Sequence, residues 1–451
     1  MFRIFVIAVI TTMAAILETA ADAIAATLPP PAAATPRLRV VASGRLWPPA
    51  AHRGTACVSV SARAARWRRP IRATSWLAWC QQQGVHPGNR GRAGGVTVLP
   101  AANGLATGAA WLYSPWMLPW SEAIDPVADQ NGFAGVVSVH RGGETEFAQA
   151  YGLADRAHQI PNTVRTRFAI ASGTKGLTAL AVVSLINDNA LAMSTTARSV
   201  LGTDLPLIGD DVTIEHLLAH RSGIGDYLDE EAGYDVTGYL LTVPPQDLAT
   251  TEHYLAVLGG HPAKFPPGER FSYCNSGYVV LALIAERISG VAFDQLVAER
   301  VCGPARMADT GFLRSDELPA GTALGYLPIP GRSRTNVFHL PVRGSGDGGI
   351  YSTAADISAL WHSLFTERIV PARWVAEMVR PRSDVPAESK RYGLGFWLGQ
   401  HSDTVILEGF DAGVSFRSVH DPRSAVTCTV ISNSSDGAWP IARRLEEFLA
   451  G

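Results

Sequence analysis

The sequence predicts an α+β fold in which one antiparallel sheet, built from both termini of a domain, packs against a mostly helical region. Two hydrophobic segments near residue 140 and two more near residue 420 have the spacing of β-hairpins. Between them, apolar residues recur at helical spacing. Strands at both ends with helices between them favour a single domain over residues 119–451.

The first hairpin follows Ala134. Residues 135–140 predict a strand, because they are rich in valine, and the two glycines of residues 141–143 predict a turn. Residues 144–151 then predict the second strand. The start of the domain therefore supplies two adjacent strands.

A matching hairpin lies near the C-terminal end of the sequence. Strands are predicted over residues 414–420 and 425–432, with a turn at residues 421–423. An amphipathic helix over residues 442–449 follows it. These strands are expected to share the sheet of the first hairpin.

The residues between the hairpins predict four helices. Their expected bounds are 174–185, 214–219, 278–288 and 354–365. Thr213 is a good N-cap for the second helix, and Thr353 with Asp356 has the spacing of a capping box for the fourth. The third helix is apolar nearly all round and ends at Gly290, which indicates that it is buried.

Charge divides the chain near residue 118. The net charge is only −2, which gives no indication of a nucleic-acid partner. Residues 1–118 carry twelve arginines, no lysine and two acidic residues, whereas residues 119–451 carry 26 basic and 38 acidic side chains. No acidic residue occurs between Ala23 and Trp120. A change this sharp indicates a domain boundary.

Residues 1–118 allow three interpretations. Residues 1–26 resemble a secretory signal, with an apolar run too short for a stable membrane span. Residues 27–118 are rich in Ala, Arg, Pro, Gly and Trp without helix or strand periodicity, so they are expected to be disordered or not native coding sequence. If they are not native coding sequence, translation starts near Met117, which would give a cytoplasmic protein. The alternatives are an exported protein with a disordered basic linker and a small unrecognised domain.

The first candidate for chemistry is Ser172-Gly173-Thr174-Lys175 at the start of a predicted helix. Residues three apart on a helix lie on one face, so the Lys175 ammonium can reach the Ser172 hydroxyl. A serine hydroxyl needs a neighbour to accept its proton, and a desolvated lysine can do so. The alternative is a surface lysine one turn after an ordinary N-cap serine.

Tyr273-Cys274-Asn275 follows about a hundred residues later, directly before the apolar helix. A phenol beside a buried helix can relay a proton to a leaving group, and the Asn275 amide can hold a substrate carbonyl and orient Lys175. The alternative is that Tyr273 only packs and Asn275 only caps the helix.

A third segment, Glu408-Gly409-Phe410-Asp411, precedes the C-terminal hairpin. A strand with a small residue here lets a substrate lie along its edge, and a backbone N–H could complete an oxyanion hole with that of Ser172. Glu408, Gly409 and Asp411 are therefore candidate substrate-binding residues. A plain turn before an edge strand explains the same residues.

The three segments, in this order, resemble the serine β-lactamases of class C and their relatives: penicillin-binding DD-peptidases, D-aminopeptidases and esterases of the same fold. The resemblance runs from about residue 122 to the end and includes three supporting segments: residues 213–224 (TIEHLLAHRSGI), 267–273 (PGERFSY) and 348–356 (GGIYSTAAD). It implies a β-lactamase/transpeptidase-like fold. It also implies that Ser172 is the nucleophile, that Lys175 and Tyr273 share the acid–base role, and that Asn275 binds substrate.

One departure from the family concerns specificity. The third family motif usually has Lys or His, then a small residue, then Gly, where this sequence places Glu408, Gly409 and Phe410. A carboxylate in place of a cation would repel the carboxylate of a β-lactam. We therefore expect a serine hydrolase that acts through an acyl-serine on a small ester, amide or peptide. The alternatives are a β-lactamase or DD-carboxypeptidase, and a catalytically silent binding protein of the same fold.

Other motifs give no support to a different chemistry. His216 and His220 are four residues apart, but no Glu follows His216, and the five cysteines are not closely paired, so no metal site is predicted. Residues 344–349 resemble a phosphate loop only in glycine content and predict a tight turn. Gly-x-Ser-x-Gly is absent. No cofactor is expected.

Overall fold

The computed structural model describes residues 117–450, apart from Tyr234, Val236, Thr237 and Pro330. The interpretations of the first 116 residues, including the signal-like start, lie outside the described residues, and the boundary at residue 118 stays a prediction.

Twelve strands occur in the described part of the chain. They are β1 (Gly135–Arg141), β2 (Glu144–Tyr151), β3 (Leu153–Asp155), β4 (Ile160–Pro161), β5 (Phe168–Ala169), β6 (Tyr351–Ser352), β7 (Ser383–Val385), β8 (Lys390–Tyr392), β9 (Trp397–Gly399), β10 (Val405–Asp411), β11 (Val414–Asp421) and β12 (Val426–Ser432). Eight of them form one antiparallel sheet in the order β2-β1-β12-β11-β10-β9-β8-β7. The pairs β3–β4 and β5–β6 form two small separate ladders.

Eleven α-helices occur in the same part of the chain. They are α1 (Met117–Asn131), α2 (Thr174–Asn187), α3 (Ala197–Leu201), α4 (Ile214–Leu218), α5 (Leu255–Leu258), α6 (Asn275–Ser289), α7 (Phe293–Val297), α8 (Gly303–Ala305), α9 (Ala354–Phe365), α10 (Ala372–Met378) and α11 (Ala438–Ala450). Short 3₁₀ turns lie at Ala171–Gly173, Glu230–Ala232, Pro245–Asp247, Thr251–Tyr254 and Pro386–Glu388, and a π-helical turn at Ala298–Cys302.

The sheet is built from both ends of the domain, which confirms the predicted fold class. Strand β1 pairs with β12 from Gly135 opposite Ser432 to Arg141 opposite Val426. The two predicted hairpins therefore lie side by side, with β2 at one edge of the sheet. The β2 bounds agree with the prediction, and those of β1, β11 and β12 differ from it by one residue.

Each face of the sheet covers a separate apolar core. Because side chains alternate along a strand, Val136 faces the core around α2 and α6, whereas Val137 faces a core closed by α1 and α11. Helix α2 is buried from Thr174 to Ile186 and runs through the first core. That burial matters for the site, because Lys175 lies on this helix.

Two helices begin earlier than predicted, for different reasons. Helix α11 starts at Ala438 because a proline is tolerated in the first turn of a helix, and Pro440 therefore does not mark its boundary. Helix α6 starts at Asn275 because the distant Asp226 carboxylate accepts hydrogen bonds from the backbone N–H groups of Asn275 (2.7 Å) and Ser276 (2.8 Å). The predicted capping role of Asn275 is therefore filled by Asp226.

Helix α9 has its predicted bounds but only half of its predicted capping box. The Thr353 hydroxyl accepts a hydrogen bond from the Asp356 backbone N–H at 3.1 Å. The Asp356 carboxylate instead accepts from the Asp309 N–H and the Thr310 hydroxyl. It joins α9 to the preceding loop.

Among the described residues, no single helix is both long enough and apolar enough to cross a membrane. The bent pair Asn275–Ser289 and Phe293–Ala305 meets both criteria only when its two helices are taken together.

Candidate active site

Ser172 lies in the 3₁₀ turn Ala171–Gly173, between β5 and α2. It therefore precedes the α-helix, whereas the sequence predicted it within the first helical turn. Ala171 has a left-handed φ of 43°, which is uncommon for a residue with a side chain. The Thr174 hydroxyl fixes the turn, since it donates to the Ala171 carbonyl at 2.7 Å and accepts from the Ile350 N–H at 3.1 Å.

Lys175 is the buried centre of the site, with 2% of its surface exposed. Its ammonium donates to Ser172 Oγ at 2.9 Å, to Asn275 Oδ1 at 2.8 Å and to the backbone carbonyl of Asp347 at 2.7 Å. Burial lowers the pKa of Lys175, although the charge of Asp347 opposes the shift. The neutral amine, which can accept a proton, is therefore more accessible than in an exposed lysine.

Tyr273 covers this ammonium from the side. Its ring centroid lies 4.8 Å from Lys175 Nζ, and the ring stacks on Trp397 at 5.9 Å and packs against His220 at 4.3 Å. The phenol is close enough to Ser172 to interact with its side chain. Burial raises the pKa of Tyr273, so the phenol keeps its proton at neutral pH.

Asn275 holds Lys175 and is itself held from the other side. Its side-chain N–H groups donate to the Leu228 carbonyl at 2.9 Å and to Glu230 Oε1 at 3.1 Å. These contacts point the Asn275 carbonyl oxygen at the Lys175 ammonium. The orienting role of Asn275 stays a prediction.

Strand β10 passes directly behind the nucleophile at Gly409. A Cβ atom on Gly409 would lie 2.0 Å from the Ile170 carbonyl oxygen and 3.0 Å from Ser172 N, so only glycine fits there without movement. Strand β9 pairs with β10 only at Val405 and Ile406. The edge of β10 beyond Ile406 is therefore open to the cleft beside Ser172.

Glu408 and Asp411 of this strand lie in different surroundings. The Glu408 carboxylate forms ion pairs with Lys390 and with Arg417 (3.1 Å). Asp411 lies on the same strand face as Gly409 and accepts a hydrogen bond from the Ala412 N–H at 2.8 Å. Burial raises the pKa of Asp411 to about 7, and the negative charges of Asp347 and Glu230 contribute to the shift.

The cleft around Ser172 has two arms, to which we give names by the residues that line them. The Asn275 arm contains Tyr227, Asn275, Asp347, Tyr351 and Asp411. The Tyr273 arm contains Glu231, Tyr273, Glu388, Trp397 and Glu408. Ser172, Glu230 and Phe410 line both arms, so the candidate nucleophile lies at their junction.

Comparison with known proteins identifies the family. A family model described as Beta-lactamase matches residues 120–448. The chain belongs to the β-lactamase family.

Similar proteins cover several activities within this family. Esterase EstB of Burkholderia gladioli is 31% identical over 307 residues, which cover 60% of this chain and 77% of that protein. The structure of a penicillin-binding protein from Bacillus halodurans is 35% identical with a TM-score of 0.68, covering 72% of this chain and 99% of that one. An octameric penicillin-binding protein homologue from Pyrococcus abyssi is 26% identical with a TM-score of 0.64, covering 72% and 76%.

The family assignment establishes the class of reaction. This β-lactamase-family protein is a serine hydrolase that acts through an acyl-serine intermediate on an ester or amide of a small substrate. Its β-lactamase/transpeptidase-like fold agrees with the fold implied by the sequence resemblance.

Sequence reasoning missed three polar residues of this β-lactamase-family site. Asp347 lies in the tight turn that the sequence predicted over residues 344–349, where a hydrogen bond joins Ser345 N to the Gly348 carbonyl at 3.0 Å. Asp226 and Glu230 follow the segment at residues 213–224. The sequence signal for Asp226 and Glu230 is the group of four acidic residues between 226 and 231, which has no Lys or Arg within it.

The residues excluded from metal binding have structural roles. His216 closes a capping box with Thr213, and the ring of His220 accepts a hydrogen bond from the Cys274 N–H at 3.0 Å. Within the described part of the chain, no three His, Cys, Asp or Glu residues are grouped as metal ligands would be. Cys274, Cys302 and Cys428 are buried free thiols.

Proposed function

We propose that Ser172 is the nucleophile of this hydrolase, that Lys175 is its general base, and that Tyr273 carries the proton to the leaving group. The observation that supports this most directly is the 2.9 Å hydrogen bond between Lys175 Nζ and Ser172 Oγ inside a buried site. The base is within reach of the proton that it must accept, and burial favours its neutral form.

Acylation begins when the Lys175 amine accepts the Ser172 proton. Ser172 Oγ attacks the substrate carbonyl, and a tetrahedral intermediate forms with a negative oxygen. As the bond to the leaving group breaks, the proton held by Lys175 reaches the leaving group through Tyr273. Water then attacks the acyl carbon and gives a proton to the same groups. The bond from the acyl carbon to Ser172 Oγ breaks, the proton returns to Oγ, and the acid is released.

The negative oxygen of the intermediate needs hydrogen-bond donors. The Ser172 N–H and a backbone N–H of the open edge of β10 are suited to this role, because Gly409 lets the strand approach the Ser172 backbone closely. Asn275 contacts the acyl part of the substrate, and Gly409 and Asp411 flank it.

The register of the third motif bears on specificity. Gly409 has no room for a side chain, so Gly409 fits the glycine position of the motif better than Phe410 does. In that alignment, Leu407 stands where the family usually has Lys or His. The Leu407 side chain faces α2, with Cδ2 2.5 Å from where a Cβ on Gly176 would lie. Glu408 is neutralised by Lys390 and Arg417. Neither residue offers a cation to an anionic substrate, which supports neutral or amine-bearing esters and amides over β-lactams.

A fluorophosphonate probe tests the nucleophile, because an activated serine attacks phosphorus as it attacks a carbonyl. The folded protein should acquire one adduct on Ser172, and Ser172→Ala should remain folded without label. Ser184→Ala, which removes a buried hydroxyl further along α2, should label normally. Peptide mass spectrometry locates the adduct. An adduct on another serine, or none on folded protein, would contradict the proposed site.

A further inference from the structure

The two arms of the cleft receive different parts of the substrate. Because Tyr273 passes its proton to the leaving group, the leaving group must lie in the Tyr273 arm. The acyl group then occupies the Asn275 arm on the other side of Ser172. This division rests on the proposed roles of Ser172 and Tyr273.

The carboxylates of the Tyr273 arm are mostly compensated by cations. Glu231 lies 3.7 Å from Lys264 Nζ and 3.9 Å from Arg270. Lys390 pairs with Glu408 and lies 3.7 Å from Glu388. A charged substrate group therefore gains little from this arm.

The Asn275 arm has carboxylates without such compensation. Asp347 is 7% exposed and accepts a hydrogen bond from the Tyr227 hydroxyl at 2.5 Å, but no ion pair of the described residues includes Asp347, Asp411 or Glu230. No Lys or Arg lines this arm. The nearest amine is Lys175, whose pKa is lowered by burial and whose proposed role requires its neutral form. The arm thus places three carboxylates beside the single amine of Lys175, whose charge only partly offsets theirs, so its potential stays negative.

Apolar side chains form much of the rest of the Asn275 arm, together with the polar Ser315, Asn336 and His339. The apolar residues include Leu241, Tyr254, Leu313, Leu340 and Val342, and the cavity reaches Ser172. A cavity that borders the nucleophile and combines apolar side chains with three carboxylates outside any described ion pair fits an acyl group with two features. One is an apolar side chain, and the other is a cation near the reacting carbonyl.

Asp411 is the carboxylate best placed to meet that cation. Gly409 and Asp411 share the strand face that borders Ser172, and two residues along a strand span about 7 Å. An ammonium on the carbon next to the scissile carbonyl would lie between Ser172 and Asp411. A cation there would also relieve the mutual repulsion of Asp411, Asp347 and Glu230.

We propose that the Asn275 arm binds an acyl group bearing an ammonium, so that the substrates are esters or amides of apolar amino acids, and that Asp411 determines this specificity. The proposal deepens the proposed function by assigning its substrate class.

Matched substrates test it with the full-length protein. The p-nitroanilides of D- and L-phenylalanine carry the amine, and the p-nitroanilide of 3-phenylpropionic acid is the same molecule without it. Wild-type kcat/KM should favour one phenylalanine enantiomer by about tenfold or more over the compound without an amine. Asp411→Asn should remove most of that preference, and Asp411→Glu should retain it.

Asp188→Asn is the matched control, since it removes an exposed carboxylate that pairs with Arg300 outside the cleft, and it should leave the preference unchanged. A wild type that hydrolyses the compound without an amine as well as both enantiomers would overturn the proposal. So would an Asp411→Asn protein that still labels at Ser172 and keeps the preference. Absence of Ser172 labelling in the wild type would instead contradict the proposed catalytic site.

Discussion

At the scale of single residues, the site depends on one buried lysine held by three segments that are far apart in sequence. Ser172 lies on the turn before α2, Asn275 begins α6, and the Asp347 carbonyl belongs to the loop before β6. Three hydrogen bonds fix the amine in the direction of the serine hydroxyl. An isolated Ser-x-x-Lys sequence would not provide this arrangement.

Lys175→Ala and Tyr273→Phe test the proton-transfer roles. Each should lower kcat by roughly a hundredfold or more, because each removes a group that moves a proton in the reaction. Lys264→Ala should have little effect, since Lys264 pairs with Asp229 outside this path. Steady-state kinetics with the best p-nitrophenyl ester provides the measurement. A Lys175→Ala protein with most of its activity would show that another group is the base.

At the scale of elements, the site depends on how closely β10 approaches the nucleophile turn. The turn Ala171–Gly173 also packs against β11, since a Cβ on Gly173 would lie 2.4 Å from the Phe416 ring. Gly409 therefore lets the β10 backbone lie against the backbone of the nucleophile turn, and Gly173 lets that turn lie against the Phe416 ring.

Gly409→Ala should damage both stability and reaction. The added methyl group would meet the Ile170 carbonyl oxygen, and overpacking of this kind costs about 1–3 kcal/mol. Displacement of β10 should also slow fluorophosphonate labelling of Ser172. Gly311→Ala is the control, because nothing lies within 4 Å of a Cβ at that position. Urea unfolding and labelling rates measure the two effects, and a Gly409→Ala protein equal to wild type in both would contradict this account.

At the scale of the whole described domain, the sheet lies between two apolar cores, and only one of them contains the candidate site. One face carries the core that contains α2, and the other carries a core shared by α1 and α11. The pairing of β1 with β12 connects the two ends of the domain within the sheet that both cores share. The second core can therefore lose packing without direct change to the cleft.

Ile441→Ala tests this separation. Ile441 is fully buried in the core beneath α11, so its truncation should lower the free energy of unfolding by about 2–4 kcal/mol. Labelling of Ser172 in the folded protein should stay at the wild-type rate. Leu449→Ala, at an exposed position of the same helix, should change stability by less than about 0.5 kcal/mol. Slow labelling of folded Ile441→Ala would show that the second core affects the site.

The sequence by itself predicted the features that depend on local pattern. The strands around residues 140 and 420, the bounds of α9 and the Ser172–Lys175 spacing all follow from periodicity and turn residues close in the chain. The fold class also followed, because strands at both ends of one domain must bury their apolar faces together. The order of the remaining sheet strands, β7 to β9, had no such signal, since each has only three residues.

Tertiary structure alone decided the contacts between segments distant in sequence. It gave Asp226, rather than Asn275, the cap of α6, placed the Asp347 carbonyl on Lys175, and neutralised Glu408 with Lys390 and Arg417. Hydrogen bonds and ion pairs act over a few ångström of space, whatever the number of residues between the partners. Sequence therefore identified the candidate chemistry, and the fold decided which charges that chemistry meets.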